Sequence, residues 1–168
     1  MSKEYFFYTD ASYMDDDRRG SWSYVSVEKV DDEFVYHGHK TGISVFQHGL
    51  GSTTLMELKA IHEAIKTCDD GSCIIIYSDS MASIKAIKRR QTRVKNENQI
   101  IDKIWRHRRL LRKRVMIEWI SRKSNPFSAY ADRICAWALG RGETKTFEEY
   151  EKYYNASMSW LIQANENR

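Results

Sequence analysis

A single proline, Pro126, and eight scattered glycines are all that the 168 residues contain of the two conformational punctuators. Such a chain has no proline-rich spacer, no glycine-rich linker and no low-complexity segment. No internal repeat is visible either. Cysteine is scarce: Cys68, Cys73 and Cys135 form no CxxC pair. An odd, sparse set of this kind reads as reduced thiols packed as small hydrophobes, which suits a cytosol-like compartment. No apolar run approaches the roughly 20 residues needed to span a bilayer. The opening Met1-Ser2-Lys3-Glu4-Tyr5 has no signal-peptide anatomy. The expectation is a cytoplasmic protein without membrane contact.

What is present is the composition of one folded domain. Hydrophobic residues make up 42% and aromatic residues 12%, enough to build a core without staples. The formal net charge is +4, but it is unevenly spread. Residues 85–114 carry 13 Lys/Arg against Glu97 and Asp102, a local +11, while the remainder of the chain sums to −7. A solvated helix pair with cations at its ends would account for some of this. An unpaired +11 repels itself, however, and points to a polyanionic partner such as nucleic acid.

The aromatic run Glu4–Thr9 reads as a buried strand, which Asp10-Ala11-Ser12 ends or interrupts. A polar loop over 13–20 leads to a second strand at 21–30, with Trp22 and Tyr24 on one face and Val25 and Val27 on the other. Asp31-Asp32-Glu33 turns into a third strand from Phe34 to about Ser44, completing an antiparallel meander. A loop over 49–54 precedes a helix with Leu55, Leu58, Ile61 and Ile65 at helical spacing, stopping before Asp70-Gly71. Cys73–Tyr77 is a continuous apolar run, as befits a central strand covered on both faces. Helices follow from Ser80 to Arg90 and from Asn96 to Leu111, then a strand over 115–120. Asn125 is placed to cap a helix with Pro126 in its first turn, ending near Gly140. A last helix spans about 147–161, where Phe147, Tyr150, Tyr153, Tyr154, Trp160 and Leu161 would either pack back on the domain or present a partner surface. The order β-β-β-α-β-α-α-β-α-α predicts an α/β fold with a mixed sheet and covering helices. Residues 1–142 form the expected main domain, and 143–168 a C-terminal helical extension.

Four acids fall at telling places. Asp10 follows four aromatic residues, and Asp79 lies at the carboxyl end of the Ile-rich strand, where open α/β sheets place their ligands. Glu57 lies in the first turn of its helix, and Asp132 at the rim of the apolar face of the Pro126 helix. Each alone has a plainer reading. Glu57 completes a capping box, Thr54-x-x-Glu57; Asp79 favours a helix N-terminus; Asp10 suits a turn; Asp132 suits a solvated helix surface. His37 and His39 could form a metal pair, but an exposed strand accounts for them better. Trp105 reads mainly as packing with Ile101 and Ile104, with stacking on a sugar or base as the alternative.

Taken together, Tyr8-Thr9-Asp10-Ala11-Ser12, Met56-Glu57-Leu58-Lys59-Ala60-Ile61-His62-Glu63-Ala64-Ile65 and Ile76-Tyr77-Ser78-Asp79-Ser80 resemble the type 1 ribonuclease H signature. Trp119-Ile120-Ser121-Arg122-Lys123 and Ala131-Asp132-Arg133-Ile134 resemble the family's last strand, loop and helix. The resemblance implies an RNase H-like fold: a five-stranded mixed sheet, three strands antiparallel and the rest parallel, with helices on both faces. It implies Asp10, Glu57, Asp79 and Asp132 as catalytic, metal-binding carboxylates for two Mg²⁺ ions, with Mn²⁺ as a substitute. Hard oxygen ligands suit such ions, and clustered carboxylates repel one another without them. The implied reaction is endonucleolytic hydrolysis of the RNA strand of an RNA–DNA hybrid, leaving 5′-phosphate and 3′-hydroxyl ends. The implied nucleic-acid contacts are Ala11, Ser12, Ser52, Thr53 and Thr54 near the acids, Lys85, Lys88 and Arg89 on the basic stretch, and Lys123 in the last loop.

Two features depart from the family pattern. Many relatives carry a His in the loop before the last Asp; here the loop is Ser121-Arg122-Lys123-Ser124-Asn125-Pro126, and Lys123 holds about that position. Lysine can bind a phosphate but is a poor proton shuttle at neutral pH. Many relatives also carry Asn before the Glu helix, where Ser52, Thr53 and Thr54 stand here. Two other functions therefore stay open: a nuclease of this fold acting on other structured RNA or DNA, and a non-catalytic nucleic-acid-binding module.

Overall fold

The computed structural model describes residues 3–166. Strands β1 (Glu4–Met14), β2 (Arg19–Val30) and β3 (Glu33–Val45) form the meander. Helix α1 (Thr53–Thr67) and strand β4 (Cys73–Ser78) follow, then helices α2 (Met81–Arg89) and α3 (Lys95–Leu110). Strand β5 (Arg114–Trp119) and helices α4 (Pro126–Ala138) and α5 (Phe147–Glu166) complete the chain. The five strands make one sheet in the order β3-β2-β1-β4-β5. β1, β2 and β3 pair antiparallel, whereas β4 is parallel to both β1 and β5.

Strand alternation sends successive side chains to opposite faces, and both faces are covered. Phe7, Trp22, Tyr24, Ile74 and Ile76 meet α1, α2 and α3 on one side. Phe6, Tyr8, Val25 and Val27 meet α4 and the start of α5 on the other. The unbroken apolar run of β4 is explained by this double burial. In α5, Phe147 and Tyr150 are buried in the second cluster, and Phe147 stacks on Tyr36 at 4.5 Å between ring centres. The side chains of Trp160 and Leu161 lie outside the described residues.

Three sequence expectations are corrected. Strand β1 does not stop at Asp10 but runs on to Met14, because Ala11–Met14 pair with Arg19–Trp22 of β2. The loop expected over 13–20 shrinks to a turn at 15–18. The capping box is absent: α1 is capped by Ser52, whose hydroxyl accepts a hydrogen bond from the Leu55 amide at 3.0 Å. Moving the cap two residues earlier turns Glu57 from a capping group into a buried one.

The histidines His37 and His39 do not converge. His37 faces Glu28 at 3.4 Å, and His39 bonds the Tyr36 hydroxyl at 2.6 Å. Trp105 is partly buried against the cluster that holds Ile101 and Ile104, as its packing reading has it, and its Nε1 donates to the Ile87 carbonyl at 3.0 Å. Of the basic residues in 85–114, Lys113 is buried and donates to the Ile65 carbonyl at 3.0 Å, so it takes no part in a charged surface.

Two serines on β2 set the distance of α4 from the sheet. Ser21 Oγ donates to the Cys135 carbonyl at 2.9 Å, and Ser23 Oγ to the Ala131 carbonyl at 2.7 Å. Ser23 is the partner of Asp10 across the β1–β2 ladder. The small side chains let α4 settle close, next to the strand that carries Asp10. At its other end α4 is capped as expected, with Asn125 Oδ1 accepting from the Ser128 amide at 2.9 Å and Pro126 in the first turn. Asn125→Ala should therefore lower stability by about 1 kcal/mol. A urea titration would show it as a lower midpoint with unchanged slope; an unmoved midpoint would deny the cap its role.

Candidate active site

Asp10 is carried by the central strand β1, Asp79 by the segment that leaves the carboxyl end of β4, and Glu57 by the second turn of α1. The parallel pairing of β1 and β4 aligns Tyr8 with Tyr77, so the two following acidic segments emerge on the same edge. One carboxylate oxygen from each of Asp10, Glu57 and Asp79 lies within 4.8 Å of the others. Asp10 is only 7% exposed and Glu57 4%, while Asp79 is half-buried.

The electrostatics follow from that placement. Burial is the main force on Asp10, and the charges of Asp79 and Asp132 add to it, pushing its carboxyl up to about 8 despite a 2.9 Å hydrogen bond from the Ala11 amide. Glu57 is driven well above the usual carboxylate range, first by burial and then by Asp10 and Asp79. Asp79 is also raised by burial, with Arg122 opposing the shift. Glu57 Oε2 is buried and has no hydrogen-bond partner among the described residues. An acceptor withheld from both water and donors is costly. The donor set is all oxygen, crowded and electron-rich, and a divalent cation would relieve each of these penalties. The residues fit such an ion.

Asp132 stands at the rim. It lines the same cleft as Asp10 and Asp79, but its oxygens are held by Arg122 at 3.2 Å and Lys123 at 3.4 Å. The structure therefore brings three of the four predicted carboxylates into one tight group, with the fourth beside them under two cations. Arg122 is the residue that sequence reasoning passed over. It bonds Asp132 and its charge reaches Asp10, Asp79 and Glu57. Its position just after β5, on the same edge as Asp79, was the available signal.

The other predicted contacts are distributed around this group. Ala11 and Ser12 continue β1 beyond Asp10 and are half-buried. Ser52 is occupied in capping, Thr53 is exposed and Thr54 half-buried at the start of α1. Lys85, Lys88 and Arg89 are exposed on α2. Lys123 is engaged with Asp132.

A carboxylate cluster at the strand ends of a mixed sheet, with a donor set able to take a divalent ion, is compatible with a metal-dependent hydrolase. More narrowly, the RNase H family model matches residues 2–135, and the chain belongs to that family. Membership supports a nuclease that binds nucleic acid and uses a divalent metal. Comparison with curated proteins finds no match. Among the described residues no helix is long and apolar enough to cross a membrane.

Proposed function

We propose that the protein is an endoribonuclease that cuts the RNA strand of RNA–DNA hybrids with two Mg²⁺ ions, or Mn²⁺ in their place. The observation that carries the reading is the convergence of Asp10, Glu57 and Asp79 within 4.8 Å. Asp10, Glu57 and Asp79 would hold one ion, and Asp10 with Asp132 the other. When bound, the ions supply Lewis-acid activation of the attacking water and charge stabilisation on the leaving 3′ oxygen, which yields 5′-phosphate and 3′-hydroxyl ends.

The chain's own groups do the positioning. The Ala11 amide orients the Asp10 carboxylate. Arg122 and Lys123 set two cations at the mouth of an acidic cleft that would otherwise repel a phosphodiester. Ala11, Ser12 and the Ser52–Thr54 segment adjoin Asp10 and Glu57 in the chain, so a strand seated at the acids would meet groups able to sense 2′-hydroxyls. Lys85, Lys88 and Arg89 would contact phosphates of the DNA strand without regard to sequence.

The test is a cleavage assay on labelled RNA–DNA, RNA–RNA and DNA–DNA duplexes, with Mg²⁺, Mn²⁺ or EDTA. Cutting confined to the RNA of the hybrid, dependent on the ion, is expected. No cutting with either ion, or equal cutting of the DNA duplex, would defeat this reading.

A further inference from the structure

A second cavity of about 500 Å³ opens between α4, the 139–146 loop and α5. Its wall carries three cations, Lys123, Arg133 and Lys145, against one acid, Glu143. Its remaining lining is aromatic: Trp137, Tyr150 and Tyr153. The rings form a continuous array, with 6.4 Å between Trp137 and Tyr150 and 6.3 Å between Tyr150 and Tyr153. Arg133 lies over Trp137 at 5.8 Å and Lys145 over Tyr153 at 5.3 Å. Neither Arg133 nor Lys145 has a carboxylate partner within 4.0 Å among the described residues. The Trp137 indole N–H is a buried donor with no acceptor there. Tyr153 is 60% exposed, more than a large aromatic residue needs to be if it only fills a core. Tyr130 Oη donates to the Lys145 carbonyl at 2.8 Å, which holds the loop that presents this lysine.

Cations set beside aromatic rings, with Tyr153 exposed at the mouth and Trp137 and Tyr150 forming the wall behind it, are the chemistry of single-stranded nucleic acid: phosphates seat on the charges and an unpaired base stacks on the exposed ring. Lys123 belongs to this cavity and to the cleft of Asp10, Asp79 and Asp132, so the two are contiguous. We propose that the cavity binds a nucleotide unit of a single strand running on from the duplex held at the acidic site. A base paired in a duplex has no free face for Tyr153, whereas a base in an overhang does. The proposal rests on the nuclease reading for the position of the duplex, but binding can be measured without hydrolysis.

The experiment measures, by fluorescence anisotropy in EDTA, the affinity of the full chain for a blunt RNA–DNA hybrid and for hybrids extended by about six unpaired nucleotides at each end of either strand. At least one extended hybrid is expected to bind about tenfold tighter than the blunt one. Tyr153→Ala, at an exposed position, and Lys145→Glu should each remove most of that preference while leaving blunt-hybrid affinity as the internal control. Equal affinity for blunt and extended hybrids, or a preference that both variants leave intact, overturns the proposal. So does polyglutamate competing as well as a single strand, which would reduce the site to general anion binding. AMP bound by these side chains without any preference for overhangs would likewise replace the strand with a free nucleotide. A protein that shows the overhang preference yet cuts nothing would sink the nuclease reading alone, and one that cuts hybrids without the preference would sink only this one.

Discussion

Asp10→Asn should lower hybrid cleavage by at least about a thousandfold, the rate equivalent of ~4 kcal/mol of lost transition-state stabilisation. Asp10 is the carboxylate common to the whole cluster, adjoining Glu57, Asp79 and Asp132 alike. Asparagine keeps the shape but offers a neutral amide, so an ion loses both a ligand charge and part of its attraction to the site. Asp79→Asn and Glu57→Gln should fall in the same range. Asp132→Asn should cost less, because that carboxylate sits at the rim and is already shared with Arg122 and Lys123. Single-turnover rates at saturating Mg²⁺ would check the order. If Asp10→Asn retained more than a tenth of the wild-type rate, the carboxylate cluster would not be the catalytic centre.

The second large effect concerns stability without metal. Burial and neighbouring charge raise Asp10 from 3.8 to about 8. The folded chain therefore keeps a proton that the unfolded chain has released between those values, and stability falls as pH rises across that window. The full span corresponds to a penalty of order 5 kcal/mol above the upper value. His62, lowered to about 4 by burial and then by its neighbour His107, tilts stability the other way below its ordinary range. His39 and His107 are lowered as well. All three histidines finish titrating in the unfolded chain between about pH 6.5 and 8, so they offset part of the acid cluster's effect there, and a net loss of about 1 kcal/mol, or roughly 3 °C in Tm, is expected. In EDTA, wild-type Tm should drop over this interval and Asp10→Asn should flatten the drop and melt higher at pH 8. Mg²⁺ should raise wild-type Tm more at pH 8 than at pH 6.5, because ion and proton compete for the same oxygens. A wild-type Tm that is flat in EDTA and indifferent to Mg²⁺ would mean the three acids carry no mutual strain.

Much of this was readable from local pattern. The Ile-rich run of β4, the helical spacing of Leu55, Leu58, Ile61 and Ile65, and the Asn125-Pro126 start of α4 each declare their element through short-range periodicity or capping chemistry. The candidate acids were legible because they stand next to those signals. The misses are local choices between near-equivalent alternatives: where a hairpin turns, and which of several hydroxyls caps a helix. Strand β1 outlasts Asp10 because β2 supplies the ladder as far as Arg19. The choice among Ser52, Thr53 and Thr54 as helix cap could not be made from three consecutive hydroxyls.

The order of elements, the two-faced burial of the central strands and the chemical identity of the acids follow from residue type and spacing, since these act over a few residues. Folding in three dimensions brought Asp10, Glu57 and Asp79 within one ion's reach while leaving Asp132 under Arg122 and Lys123. Ser21 and Ser23 set how closely α4 approaches, and α5 joined Tyr150 and Tyr153 to Lys123 around a common cavity. Carboxylate repulsion, ion pairing and burial depend on separations of a few ångströms between residues as far apart in the chain as Asp10 and Asp132, and those separations exist only once the sheet and its helices have packed.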